Sequence, residues 1–314
     1  MTLADLPFPS WVVCVFALGW GCIWGSFVNV VVHRVPRGMS IVHPGSRCPA
    51  CGTPVRAIDN LPIVSWLFLR GRARCCGAPI APRYVVVEIV SGLLALAIYV
   101  FVVLPLPSHT GLGQAASVFL ADFALSMTLL AAAAIDAEHM YLPDTMTVAG
   151  ALFGLLTPGL RHLSWSEAAL GAALGFFGVW LLFIVGYKAL RGQAGMGLGD
   201  AKLAMLAGAW LGWPGVIVAV FGGAIQATLA ALIVLGIRGK IEEPASVRHD
   251  REELEAAAAA GDVEAKQALA DDPLGRPPAA GILAARIPFG PFLCLAILEW
   301  MLARNWAWQT WGRY

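Results

Sequence analysis

The sequence predicts an all-α polytopic membrane protein of about eight transmembrane helices, carrying one small cytoplasmic Cys-rich, zinc-ribbon-like loop domain. Three observations predict it. Of 314 residues, 59% are hydrophobic and 13% charged, with a mean hydropathy of +0.73, whereas soluble domains carry roughly 45–50% apolar and about 25% charged residues. Apolar runs approaching or reaching the roughly 17–25 residues that cross a bilayer recur along the chain. Basic residues gather in alternate loops, as they do on the cytoplasmic side of membrane proteins. The net charge of +1 says nothing about nucleic acid, but no basic stripe with interleaved aromatics appears, and no nucleic-acid partner is expected.

The first apolar run is 11–32. The preceding "MTLADLPFPS" has no Lys or Arg, so it lacks the basic start of a cleaved signal, and the run is expected to stay as a helix. Further runs follow at 84–106, 115–135, 146–160, 168–190, 201–211, 215–237 and 288–302, those at 146 and 201 being short. The resulting divisions are 1–33 for the first helix, 34–83 for the Cys/Arg-rich loop and 84–237 for helices two to seven. A partly helical insertion at 238–285 and a last helix with its tail at 286–314 complete the chain. The first loop holds eight arginines against one acid, Asp59. Lys188, Arg191 and Lys202 mark the same side after the fifth run, and the insertion adds more. Both termini are therefore expected outside and the large loops in the cytoplasm. In the insertion, "HDREELEAAAAAGDVEAKQALADD" reads as one or two exposed helices broken near Gly261, followed by a linker, "DPLGRPPAAG".

Cys14, Cys22 and Cys294 lie inside apolar runs and read as small hydrophobes. Cys48, Cys51, Cys75 and Cys76 lie in the first loop, which has little apolar periodicity and needs a staple. In a cytoplasmic loop the staple is a metal ion rather than a disulfide.

The acids Glu88, Asp122, Asp136, Glu138, Asp144, Glu167, Asp200, Glu299 and, more loosely, Asp5 lie in or near the spans. A charge at the bilayer centre costs about 2.5–3.5 kcal/mol on insertion scales, so each buried one is a functional candidate. Glu88, Glu299 and Asp122 read best as buried hydrogen-bonding partners. Asp136 ends the third run, Asp144 opens the fourth and Asp200 opens the sixth, all expected at one face. Helix capping accounts for Asp144 as well as chemistry does. It accounts less well for Asp200, because a cap needs none of the glycines at 195, 197 and 199. Those glycines allow close backbone approach or a loop that folds back at the membrane surface. Asp136 faces the negative end of its own helix, a placement disfavoured by about 0.3–1 kcal/mol. Asp136 and Asp200 together form a pair that shares one proton. The helix dipoles are expected to divide the roles, with Asp136 protonated and Asp200 ionised. One then takes a proton from water while the other polarises a carbonyl.

These residues resemble the type IV prepilin peptidase family, the aspartic proteases of pilus and type II secretion systems. The resemblance is carried by "GSFVNVVVHRVPRG" (25–38), "RCPACG" (47–52), "GAPIAPRYVVVE" (77–88), "IDAEHMYLPD" (135–144), "GMGLGDAKL" (195–203) and "RIPFGPFL" (286–293). It implies catalytic roles for Asp136 and Asp200, with 84–237 as peptidase core. It also implies a prepilin or pseudopilin substrate, with a basic leader cut after a glycine at the cytoplasmic face of the bacterial inner membrane, and assembly machinery as partner. Many members then N-methylate the new terminus with S-adenosylmethionine; no methyl-donor site is visible in this sequence. Asn29 and His33, four apart on one helix face, are candidates to line the substrate groove, and Asp144, Gly197, Gly199 and Lys202 are candidate supporting residues. The family's zinc loop has two CxxC pairs. Here Ala73 occupies the third ligand's position and Cys75 stands beside Cys76. The zinc set expected is Cys48, Cys51, Cys75 and Cys76, with His43 or water as an alternative fourth ligand, and a loop held by packing and arginine contacts as the metal-free alternative. Two rivals from other classes are a proton-coupled transporter using intramembrane carboxylates and a catalytically silent scaffold whose first loop binds zinc and a partner.

Overall fold

A computed structural model of the chain describes residues 2–5, 8–191, 195–271 and 287–311. The predicted linker 272–281 lies outside the described residues. The architecture is helical, with no strand among the described residues; the elements are α1 (Ser10–Arg34), α2 (Val64–Phe68), α3 (Arg83–Ile98), α4 (Leu112–His139), α5 (Asp144–Leu156), α6 (Trp165–Val179), α7 (Tyr187–Arg191), α8 (Leu198–Ile217), α9 (Gly223–Arg238), α10 (Ala245–Ala259), α11 (Val263–Asp271) and α12 (Gly290–Trp311).

Among the described residues, five runs are long and apolar enough to cross a membrane: Ser10–Arg37, Arg83–Val103, Leu112–His139, Trp165–Leu190 and Leu198–Arg238. The last contains 41 residues and breaks at Gly212, whose φ of 67° and ψ of −171° leave the helical region just before Trp213 and Pro214. The two halves, together with α5 and α12, supply the eight apolar helices the sequence predicts. Helix α5 has 13 residues, about 20 Å of rise, so it falls short of a hydrocarbon core of about 30 Å.

Small residues set the helix contacts, as expected where lipid tails leave no hydrophobic drive between helices. A Cβ on Gly208 would lie 2.0 Å from the Gly171 carbonyl oxygen, and one on Gly175 would lie 2.2 Å from that of Ala204. The backbones of α6 and α8 therefore touch directly. Gly21 and Gly25 do the same for α1 against Ser91, Gly92 and Glu88 of α3. The main core gathers Leu125, Leu129 and Ile135 of α4, Leu203, Leu206 and Trp210 of α8, and Leu293, Ile297 and Met301 of α12.

The first loop packs on the bundle through polar contacts. Arg34 donates to the carbonyls of Ser40 (2.8 Å) and Pro44 (2.6 Å). Glu88 Oε2 accepts from the Ile63 N–H at 2.7 Å, fixing a residue whose φ of 62° is costly for a β-branched side chain. Glu88 is thus a buried structural acceptor. The ion pair between Arg83 and Glu138 joins the loop's exit to the end of α4, so the loop and that end of α4 lie at one end of the bundle. Helix α10 meets the same place, where the Ser246 hydroxyl donates to the Glu138 carbonyl. Helices α10 and α11 are separated at Gly261, which has φ of 102°.

Candidate active site

Helix α4 ends when Met140 turns into the left-handed region and returns its N–H to the Asp136 carbonyl, placing Asp136 in the last turn. The chain passes through Leu142 and Pro143 into α5. Helix α8 starts from Gly197, with Asp200 as its third residue. Asp136 is 6% exposed, and its Oδ2 accepts from the N–H of Gly290, the first residue of α12, at 2.9 Å. Asp200 Oδ2 accepts from the Gly197 N–H at 3.0 Å. Leu142 lies against both helix starts, at Gly290 and at Gly199. A Cβ on Gly290 would lie 2.7 Å from Asp136 Oδ2 and 3.2 Å from Leu142, and one on Gly199 would lie 3.2 Å from Leu142. The charge of Asp136 reaches Asp200, and both carboxylates reach the buried Cys294 thiol one turn into α12. Two carboxylates 64 positions apart in sequence thus lie toward the same end of the bundle, near enough for the charge of one to act on the other.

The geometry corrects the expected division of roles by helix dipoles. Asp136 does sit at the negative end of α4, but its carboxylate lies on the positive end of α12. Asp200 lies on the positive end of α8. Both therefore receive the same kind of stabilisation, a backbone N–H at a helix start, and the dipoles alone do not make them opposite. Gly290 was legible only as part of "RIPFGPFL" at the entry of an apolar run, because its contribution to the site is a backbone N–H.

Asp144 is not a cap. It is the first residue of α5, makes no capping bond, and binds Lys202 Nζ through both oxygens at 2.6 and 2.8 Å. The pair ties α5 to α8 one turn from Asp200. Gly199 permits the close contact with Leu142, while Gly197 supplies the N–H to Asp200 from an ordinary extended backbone. Gly195 donates to the Phe183 carbonyl at 2.9 Å, so the glycine segment folds back onto the preceding helical run. Asn29 is buried and its amide donates to the Tyr84 carbonyl at 3.0 Å, which fastens α1 to α3. His33 is half-buried one turn further on.

The four loop cysteines converge. Their sulfurs lie within 4.8 Å of one another, with Cys48–Cys76 at 3.7 Å and Cys51–Cys75 at 3.3 Å. Tetrahedral zinc, with Zn–S near 2.3 Å, needs sulfurs about 3.8 Å apart, so the set fits such an ion. The loop's two knuckles repeat one backbone plan. Cys48 N–H donates to the Thr53 carbonyl and Gly52 N–H to the Cys48 carbonyl; Ala73 and Gly77 make the equivalent bonds, to the Ala78 and Ala73 carbonyls. Residues 47–54 and 72–79 therefore superpose in register, with Ala73 matching Cys48 and Cys75 matching Ala50. The missing sulfur is supplied two residues further along the second knuckle. Hydrogen bonding with Thr53 is the main influence that holds the Cys51 thiol down to about 6, and Cys51 in turn is the main influence that pushes Cys75 up to about 12.

A bundle of apolar helices with two carboxylates held on helix-start N–H groups defines a polytopic membrane protein. Comparison with known proteins gives the family. Residues 20–102 match the bacterial peptidase A24 N-terminal domain, and residues 123–233 match the type IV leader peptidase family. A prepilin leader peptidase/N-methyltransferase of Klebsiella pneumoniae is 39% identical over 204 residues, covering 62% of this chain and 82% of that protein. One from Myxococcus xanthus is 35% identical over 249 residues (76% and 69%), and one from Burkholderia pseudomallei 34% over 269 (75% and 81%). No solved structure matches the chain. The chain belongs to the type IV leader peptidase family and is a peptidase of that family.

Proposed function

We propose that the protein is a membrane aspartic endopeptidase that removes the basic leader of type IV prepilins or pseudopilins, with Asp136 and Asp200 as the catalytic pair. The observation that carries this reading is that the two helix starts holding these carboxylates converge on Leu142, each carboxylate with one oxygen spent on a helix-start N–H. The other oxygen of each accepts no hydrogen bond from the described residues. In the reaction, one carboxylate takes a proton from water as the water oxygen attacks the scissile carbonyl carbon. The other, protonated, donates to the carbonyl oxygen. The resulting tetrahedral species collapses with proton return to the leaving amine. The pair titrates as a unit, so the two roles belong to the dyad. Full charge pairing would lock a carboxylate in its ionised form, whereas the neutral N–H partners orient these two without supplying a counter-cation.

The arginines of the first loop support a cytoplasmic location for that end of the bundle. Cleavage would then occur at the cytoplasmic face of the inner membrane, with both termini periplasmic and the pilus or type II secretion machinery receiving the product. The cysteine set would hold a structural zinc ion, whose chemistry is to cross-link four thiolates and so staple a loop without a core of its own. The relatives' name adds N-methylation, which we extend to this chain with S-adenosylmethionine as donor. The relatives' name alone supports that step. The test is co-expression with a candidate prepilin, reading leader removal and terminal methylation by mass spectrometry. Leader removal by the wild type and its loss in both Asp136→Asn and Asp200→Asn supports the assignment; retained cleavage in either single variant overturns the paired reading.

A further inference from the structure

Helices α4 and α12 run antiparallel and are joined at both ends. At the loop end Gly290 N–H meets Asp136. At the far end Arg304 Nη2 meets Asp122 Oδ2 at 2.9 Å. Asp136 follows Asp122 by fourteen residues, and Arg304 follows Gly290 by the same fourteen. Fourteen residues are two heptads, about 21 Å of helix, so both joins fall on one seam of the pair. Between them Leu129, Leu293, Ile297 and Met301 are buried, and the Ser126 hydroxyl approaches Met301 Sδ at 4.0 Å.

The far join is the more demanding. Asp122 is wholly buried and Arg304 nearly so. Arg161 also faces Asp122 electrostatically; its guanidinium lies 4.2 Å over the Trp210 ring and donates to Gly154 and Thr157. Any other register of α12 would leave buried charges unpaired, and that is strongly disfavoured. A slip of one turn, about 5.4 Å, would also carry Gly290 beyond hydrogen-bond reach of Asp136. Asp122 and Arg304 both lie outside the segments matched by the family models.

We propose that Asp122 and Arg304 are positioning residues. Their buried ion pair sets the register of α12 on α4 and thereby places the Gly290 N–H on the Asp136 carboxylate about 21 Å away. This rests on the assignment of Asp136 to the catalytic pair. The test uses the full chain in detergent or vesicles with a synthetic prepilin-type peptide: a basic leader, a glycine and an apolar segment. Wild type, Asp136→Asn, Arg304→Lys and the neutral double variant Asp122→Asn/Arg304→Gln are compared for kcat, KM and amide hydrogen exchange.

In the double variant, kcat is expected to fall roughly ten- to a hundredfold per folded molecule, with KM within about twofold. Exchange should quicken in a peptide covering 287–293 and stay unchanged in one covering 197–203. Arg304→Lys, which keeps the cation, should stay within about threefold of wild-type kcat. Unchanged kcat and exchange in a folded double variant would overturn the positioning role, as would equal quickening at both helix starts. If the double variant does not fold, Asp122→Glu is read instead. It keeps the charge but displaces it by one methylene, and unchanged kcat and 287–293 exchange there overturn the proposal. A wild type that does not cleave the peptide, or an Asp136→Asn variant that does, refutes the peptidase assignment itself, separately from these outcomes.

Discussion

Asp122 and Asp136 stand on one helix, both buried, and are satisfied in opposite ways. Asp122 holds a guanidinium, with a second one nearby. Asp136 holds a single neutral N–H and faces another carboxylate. A carboxylate locked by a buried cation is a structural fastener, because protonating it would strand that cation. One held by an amide and crowded by a like charge can exchange a proton. Identical side chains in one apolar bundle thus differ in what meets their oxygens, and on the proposed function one is the fastener and the other the reagent.

The sharpest way to break the contrast is to neutralise each in turn. Asp136→Asn, or Asp200→Asn, is expected to reduce prepilin cleavage by about 10²–10⁴, the usual scale of general acid–base catalysis, with little change in thermal stability by differential scanning fluorimetry. Asp122→Asn should do the reverse first. By stranding Arg304 and Arg161 it is expected to cost about 3–5 kcal/mol of stability, read as a lowered denaturation midpoint. Gly290→Ala tests the amide side of the comparison. The added methyl would crowd Asp136 Oδ2 at 2.7 Å, and an approximately tenfold loss of kcat with a folded protein is expected.

Cys75→Ser should lower bound zinc, measured by atomic emission on purified protein, and make the 34–83 loop easier to cleave by protease. Adding Ala73→Cys to a Cys75→Ala variant should restore the metal. A metal-free, folded wild type would remove zinc from the account. Asp144→Asn is the smallest case. Its partner Lys202 is partly exposed and Asp144 itself largely so, so loss of the pair should change stability by under about 1 kcal/mol.

Much of this was legible before any coordinates. The apolar runs located the helices because length and hydropathy alone decide what can span lipid. Asp136 and Asp200 were legible because a carboxylate at an apolar run's edge is costly and thus informative. The partners of those carboxylates were not. Gly290 acts through its backbone, and Arg304 meets Asp122 across 182 positions. Asp144 read equally well as a cap or as a site residue, because its position suits both; only the reach of Lys202 from α8 shows where its oxygens go. Cys75 read as a departure, whereas the shared knuckle geometry makes it a sulfur moved along an otherwise repeated turn. The Gly171/Gly208 contact had a visible sign in small residues spaced four apart, but such spacing names no partner.

The break at Gly212 has a mechanical consequence. Residues 201, 203, 204 and 206–211, on the Asp200 side, are buried against neighbours; beyond it Gly215, Ala219, Val220 and Gly223 are buried, and the rest of α9 is not. A bilayer that thins or thickens around the protein pulls on that exposed stretch of α9, while the seam between α6 and α8 holds the Asp200 side of the break still. Hydrophobic mismatch would then be absorbed in α9 rather than at the start of α8, so turnover should vary little with acyl-chain length in reconstituted vesicles.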